Sequence, residues 1–259
     1  MKKNYLAEFI KYVILNVCGM VGFSCYILAD TFFISKGLGS EGLTALNLAI
    51  PIYSFVHGIG LMFGMGGGTK YSIFMGQKHQ KEANEVFNNT LRSVLIISCI
   101  FSAAGILFSE RIAMILGAEG KILSMTDIYL KVILLFAPAF ILNEVLISFV
   151  RNDGNPGLAM KAMLAGSFAN IILDYIFIFP FQWGMFGAVI ATSMAPLVSM
   201  AVLAIHKMKG KNRFFLKKIR FSSKIILDVC KLGIPSLITE VAAGIVMIIF
   251  NMLILGIEG

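Results

Sequence analysis

The chain has 259 residues, of which 58% are hydrophobic and only 14% charged, with a net charge of +8. A water-soluble domain carries nearer a quarter charged residues, so this composition excludes an ordinary soluble enzyme or binding module. The basic residues lie in short connections between apolar segments, which fits membrane orientation and argues against a nucleic-acid-binding face.

Seven apolar segments long enough to cross a bilayer follow in chain order, at about 10–36, 44–70, 88–109, 122–149, 157–180, 184–206 and 225–255. Runs of this length satisfy their own backbone groups only as helices. The alternation of a membrane barrel strand is absent. The sequence therefore predicts an all-α, polytopic membrane helix bundle. The first segment follows Lys2 and Lys3, but it continues from about Tyr12 to Ile34 without a small-residue cleavage site. It reads as a retained span rather than a signal peptide.

The connections are short and polar or glycine-rich, except for the basic stretch KMKGKNRFFLKKIRFSSK at 207–224. Counting spans puts the N-terminus, 70–87, 150–156 and 207–224 on one side, and the excess of Lys and Arg there predicts that this side is cytoplasmic. Phe214, Phe215, Leu216, Ile219 and Phe221 interleave with the charges of the long loop. That pattern suits either a segment lying on the anionic inner leaflet or a solvated linker.

LGSEG at 38–42 follows the first span and LGIEG at 255–259 follows the seventh. A second copy of a six-helix unit would begin with the seventh span, giving an intact protein of roughly 430 residues built from two halves. The expected organisation is a six-helix lobe at 1–206, a basic inter-lobe loop at 207–224, and the first helix of a truncated second lobe at 225–259. The seventh helix, lacking its partners, is expected to touch the first six only sparsely, with Glu240 facing lipid or finding a neighbour.

Asp30, Asp174 and Glu240 lie within apolar runs, and Glu144 lies toward the inner end of the fourth. An acid in a spanning helix costs roughly 2.5–3.5 kcal/mol on insertion scales, so it faces a cavity or a partner. Asp30 and Asp174 both come shortly before the outer ends of their spans. Asn170 is one turn deeper than Asp174 on the same face. Thr192 lies at a similar depth on the sixth span, so all four sit roughly 9–15 Å below the outer helix ends. Three helices then bring two carboxylates, an amide oxygen and a hydroxyl together, a hard-oxygen set for Na⁺ or a shared proton. Two adjacent carboxylates in low dielectric do not both stay ionised without a cation. The alternative for each buried acid is an interhelical hydrogen bond that only holds the bundle together.

Other features carry less. Cys18, Cys25, Cys99 and Cys230 lack metal or redox spacing and read as packing residues. GIGLMFGMGGGT at 58–69 lacks the GK[ST] ending of a phosphate loop and reads as a close-packing helix face. His57, His79 and His206 are scattered and predict no ligand cluster. No Ser/His/Asp, Cys/His or HExxH arrangement supports an enzyme, and no cofactor is expected beyond Na⁺ or H⁺ as a coupling ion.

The chain resembles the multidrug and toxic compound extrusion (MATE) transporters. The resemblance is carried by RNDGNPGLAMKAMLAGSFANIILDYIFIF and WGMFGAVIATSMA within 151–195, by ILADTFFISKGLGSEGLTALNLAIP at 27–51 and by GMGGGTKYSIFMGQKHQKEAN at 64–84. It implies a twelve-helix, two-lobed antiporter in the plasma membrane that expels organic, often cationic, drugs or toxins against Na⁺ or H⁺. The resemblance also implies that Asp30, Asn170, Asp174 and Thr192 form a cation site with Tyr129 as an accessory, and it gives Glu240 as a possible functional acid on the seventh helix. The first helix lacks the proline that many relatives have before the aspartate. The fragment is expected to be inactive without the missing lobe. Competing readings are a lipid-linked precursor flippase of the same superfamily and a non-transporting receptor or assembly subunit.

Overall fold

The structure, a computed structural model, describes residues 5–217 and 219–258, with side chains described for 6–217 and 219–249. Lys2, Lys3, Lys218 and Gly259 lie outside the described residues, as do the side chains of the 255–259 repeat. The described residues form seven helices: α1 (Tyr5–Gly76), α2 (Gln80–Ile115), α3 (Gly120–Leu135), α4 (Ala137–Asn152), α5 (Pro156–Ile178), α6 (Gly184–Met208) and α7 (Ser223–Glu258). The described residues contain no strand.

These helices are not one to one with the expected spans. Helix α1 is a continuous run of 72 residues, roughly 108 Å if straight, which no bilayer accommodates. It breaks at Gly39, whose φ of 72° and ψ of −161° belong to a region open only to glycine. The two limbs, 5–38 and 40–76, fold back on one another. Tyr26 and Tyr53 show this, meeting hydroxyl to hydroxyl at 3.1 Å across the hairpin. The expected single span at 122–149 is instead the pair α3 and α4, bent by 49° at Phe136. Pro138 lies in the first turn of α4, where a residue without an N–H cannot continue the preceding helix's hydrogen bonds. Counting both limbs of α1 and taking α3–α4 as one bent span gives seven crossings.

Helix α4 is the innermost element. It packs against α1, α2, α5 and α6, and Ile141, Val145 and Phe149, spaced one turn apart, are fully buried. Helix α5 begins at an Asn155 cap that accepts from the Leu158 N–H at 3.3 Å, followed by Pro156. It lies antiparallel to α6 and against the first limb of α1.

The seventh helix departs from expectation. Helix α7 does not touch the bundle sparsely; it runs closely along the second limb of α1 and meets the start of α2. Glycines on both partners permit this. A Cβ on Gly66 would collide with the carbonyl oxygen of Val229, and a Cβ on Gly233 with that of Met62. The glycine-rich 58–69 run is thus one half of a reciprocal close-packing seam. Lys70 adds an ion pair to Asp228 at 2.9 Å near the basic end. Helix α7 makes no packing contact with α3, α4, α5 or α6 among the described residues, so it lies beside the six-helix unit rather than in its centre.

The described residues between α6 and α7 form neither helix nor strand, yet they are fixed to the bundle. Asn84 Oδ1 accepts from the Phe215 N–H at 2.7 Å, Asn88 Oδ1 from Lys217 N–H at 2.9 Å, and Asn89 Oδ1 from Ser222 N–H at 2.9 Å. Three amides on one end of α2 therefore pair with the loop backbone in place of a neighbouring strand, satisfying donors that a docked loop would otherwise lose.

Candidate cation-coupling site

Asp30 comes from the first limb of α1, Asn170 and Asp174 from successive turns of α5, and Thr192 from α6. All four side chains are buried, Asn170 and Asp174 completely. The carboxyl groups of Asp30 and Asp174 come within hydrogen-bonding reach of each other. Asn170 Nδ2 donates to Thr192 Oγ1 at 3.4 Å, and the threonine hydroxyl donates to the Ala188 carbonyl at 3.2 Å. Tyr129, from α3, is buried nearby. The structure thus brings five of the six candidate residues together.

The cluster leaves both carboxyl groups with unpaired oxygens. Asp30 Oδ1, Asn170 Oδ1 and both carboxylate oxygens of Asp174 are buried without a hydrogen-bond partner. An unsatisfied buried polar atom costs about 1–3 kcal/mol, more when charged. Polar groups kept only to hold a bundle together would face donors, whereas these face one another. A proton on one carboxyl lets the other accept it. A small hard cation is coordinated by the same kinds of oxygen. The residues present therefore fit either ion.

Glu240 lies elsewhere. It reaches His57 Nδ1 at 3.6 Å, while Glu144 approaches His57 Nε2 at 3.7 Å from α4. The imidazole stacks between Phe23 (5.4 Å, 20°) and Tyr53 (5.9 Å, 15°). His57, one of three histidines scattered along the sequence, thus sits between two carboxylates. Its two carboxylate partners come from helices remote in sequence, so no local spacing announces them. Among the described residues no three or more His, Cys, Asp or Glu are placed to hold a metal. The two clusters are adjacent: Tyr26 is one turn before Asp30, Tyr53 is one turn before His57, and the Tyr26–Tyr53 contact bridges them. A cavity of about 50 Å³ reaches from His57 and Glu144 to Thr192.

A third cluster was also missed. Asp153, after α4, accepts from Tyr71 Oη (2.6 Å), the Arg213 backbone N–H (2.8 Å) and Arg213 Nε (2.9 Å), and lies 2.9 Å from His206 Nε2. Phe214 packs beside it against Phe87 and Phe149. This group anchors the inter-helix loop at the basic end, far along the bundle from Asp30. In the sequence Asp153 stands in RNDGNP, a turn-forming stretch in which an aspartate is ordinary.

The sequence profile of the MatE family matches residues 17–176. The chain is 32% identical over 233 residues to the multidrug export protein MepA of Staphylococcus saprophyticus, covering 89% of this chain and 52% of that protein. It superposes with a TM-score of 0.82 at 27% identity on an outward-facing multidrug resistance MATE family transporter of the MOP superfamily, covering 92% of this chain and 53% of the other. A MATE structure in a straight conformation gives 0.85 at 26% identity, with 92% and 54% coverage. The chain spans about half the length of the curated relatives it matches. With its apolar helices, its likeness to solved MATE structures and the extent of the profile match, this multi-pass membrane chain belongs to the MATE family of transporters.

Proposed function

We propose that the chain is the ion-coupling half of a multidrug antiporter, in which Asp30, Asn170, Asp174 and Thr192 bind H⁺ or Na⁺ and Tyr129 supports them. The observation that carries this reading is the set of buried, unpartnered oxygens on Asp30, Asn170 and Asp174. With the ion present, the carboxylates attract it and hold the first limb of α1 against α5. With the ion gone, like charges face each other in low dielectric and favour separation of the two helices. Such a change at a helix contact is the type of displacement that alternating access requires.

In this reading the exported compounds are organic and often cationic drugs; the relatives are named for multidrug export and multidrug resistance. The working transporter carries a second six-helix half, the N-terminus and the basic loop face the cytoplasm of the plasma membrane, and the chain alone does not transport. The test uses the full-length protein reconstituted in vesicles. Adding a cationic dye should release H⁺ or Na⁺ from the wild type and not from Asp174→Asn. Equal release from both would overturn the assignment, and the absence of release from either would favour a subunit without a transport cycle.

A further inference from the structure

We propose that the groove between α2, α4, α6 and the docked loop binds one acyl chain of an anionic phospholipid. The groove has a volume of about 470 Å³. Its α4 wall is Leu142, Leu146 and Val150, spaced one turn apart. The interior cavity beside His57 is lined instead by Phe140, Asn143, Glu144 and Ile147 of the same helix. Helix α6 divides in the same way: Met200, Leu203 and Ala204 line the groove, while Thr192, Ala195 and Ser199 line the interior. The groove is therefore on the far side of α4 and α6 from the candidate ion site, and helix α7 contributes nothing to it.

The loop closes the groove. Phe215 and Leu216 are more than half exposed, yet they are held over it by the bonds from Asn84 and Asn88 to the backbone of residues 215 and 217. Exposed aromatic and aliphatic side chains in a basic segment suit the boundary between acyl chains and headgroups. Lys207 lines the mouth, and Lys211 and Lys217 flank the lining loop residues on either side. Among the described residues no acidic side chain lines the groove. An apolar slot with a cationic rim is complementary to an acyl chain under a negative headgroup. A zwitterionic lipid would fill the slot without engaging the rim.

The test uses the purified chain in vesicles. Trp183, the only tryptophan, is changed to Phe, and Phe215→Trp places a conservative reporter over the groove. Acyl-brominated phosphatidylglycerol should quench this reporter at a lower mole fraction than brominated phosphatidylcholine does. A surface lysine contributes about fivefold to the binding of anionic lipid. Lys207→Gln should therefore reduce the preference about fivefold while leaving quenching by the choline lipid in place. Ala204→Phe, which fills the groove without touching the rim, should reduce quenching by both. Equal quenching by the two lipids, no effect of Lys207→Gln, or no quenching at all would overturn the proposal. Should the reporter variant fail to fold, native mass spectrometry of the unaltered chain with the two lipids, unbrominated, decides the same question: retention of phosphatidylcholine as strongly as phosphatidylglycerol rejects it.

Discussion

The carboxyl groups of Asp30 and Asp174 approach within hydrogen-bonding reach from α1 and α5, buried and with no N–H or O–H donor provided for three of their oxygens. Two carboxylates placed this way are unstable as a pair of anions and stable around a proton or a small cation.

Asp174→Asn should lower ion-driven efflux by more than about tenfold, the effect of losing about 1.4 kcal/mol or more of ion binding. Membrane insertion should be unchanged, because the amide is close in volume and less costly to bury than the acid. Resistance of cells producing the variant at wild-type levels is the measurement. Undiminished resistance would show that Asp174 has no part in coupling.

Thr192→Val removes the hydroxyl that accepts from Asn170. A neutral hydrogen bond contributes about 0.5–1.5 kcal/mol, so the ion concentration for half-maximal efflux should rise roughly two- to tenfold. An unchanged ion dependence would remove Thr192 from the site.

His57 joins α4 to α7 through Glu144 and Glu240. A double-mutant cycle with His57→Leu and Glu240→Leu, read by thermal unfolding of the purified chain in detergent, should give a coupling energy of about 0.5–3 kcal/mol. The upper end is discounted because Glu240 is 29% exposed at its side chain. Additive effects would mean that Glu240 has no stabilising partner in His57.

Gly66→Ala should destabilise the chain by about 1–3 kcal/mol, since the new methyl meets the Val229 backbone and not a side chain that can turn aside. Gly76→Ala is the control, because a methyl there meets nothing within 4 Å. The same melting temperature for both variants would contradict the close docking of α7.

Asp153→Ala leaves Arg213, His206 and Tyr71 without their common acceptor. Breaking a buried ion pair costs about 3–5 kcal/mol; because the Arg213 side chain is 53% exposed, the lower end applies here. The loop should become sensitive to a lysine- and arginine-directed protease within 209–222, while wild type resists. Equal cleavage rates would show that the clamp does not hold the loop.

The chain itself shows why Asp30, Asn170, Asp174 and Thr192 meet. Helical rise fixes their depth, the four-residue step puts Asn170 and Asp174 on one face, and apolar flanks make any polar residue conspicuous. The break at Gly39 was legible only as a connection, because its positive φ is a property of the folded hairpin. Pro138 was visible, but membrane helices often carry proline without breaking. Glu240 and His57 were each readable as intramembrane polar groups, yet their pairing depends on how α7 docks. That docking comes from Gly66 and Gly233, two small residues whose match across helices has no signature within either helix. Asp153 was overlooked because its partners are gathered from α1, α6 and the loop, and a turn aspartate beside glycine is ordinary in any sequence.

Difference infrared spectroscopy of the purified chain offers the most direct measurement, comparing wild type with Asp30→Asn and Asp174→Asn in the carboxyl stretching region. At neutral pH without Na⁺, wild type should show the band of a protonated carboxylic acid, which each variant should lose or shift in frequency because the proton's second acceptor is gone. If Na⁺ is the coupling ion, adding it should abolish that band in wild type. Should the band be absent in wild type, or persist unshifted in both variants, Asp30 and Asp174 would not share a proton or cation, and the coupling site would have to be sought elsewhere.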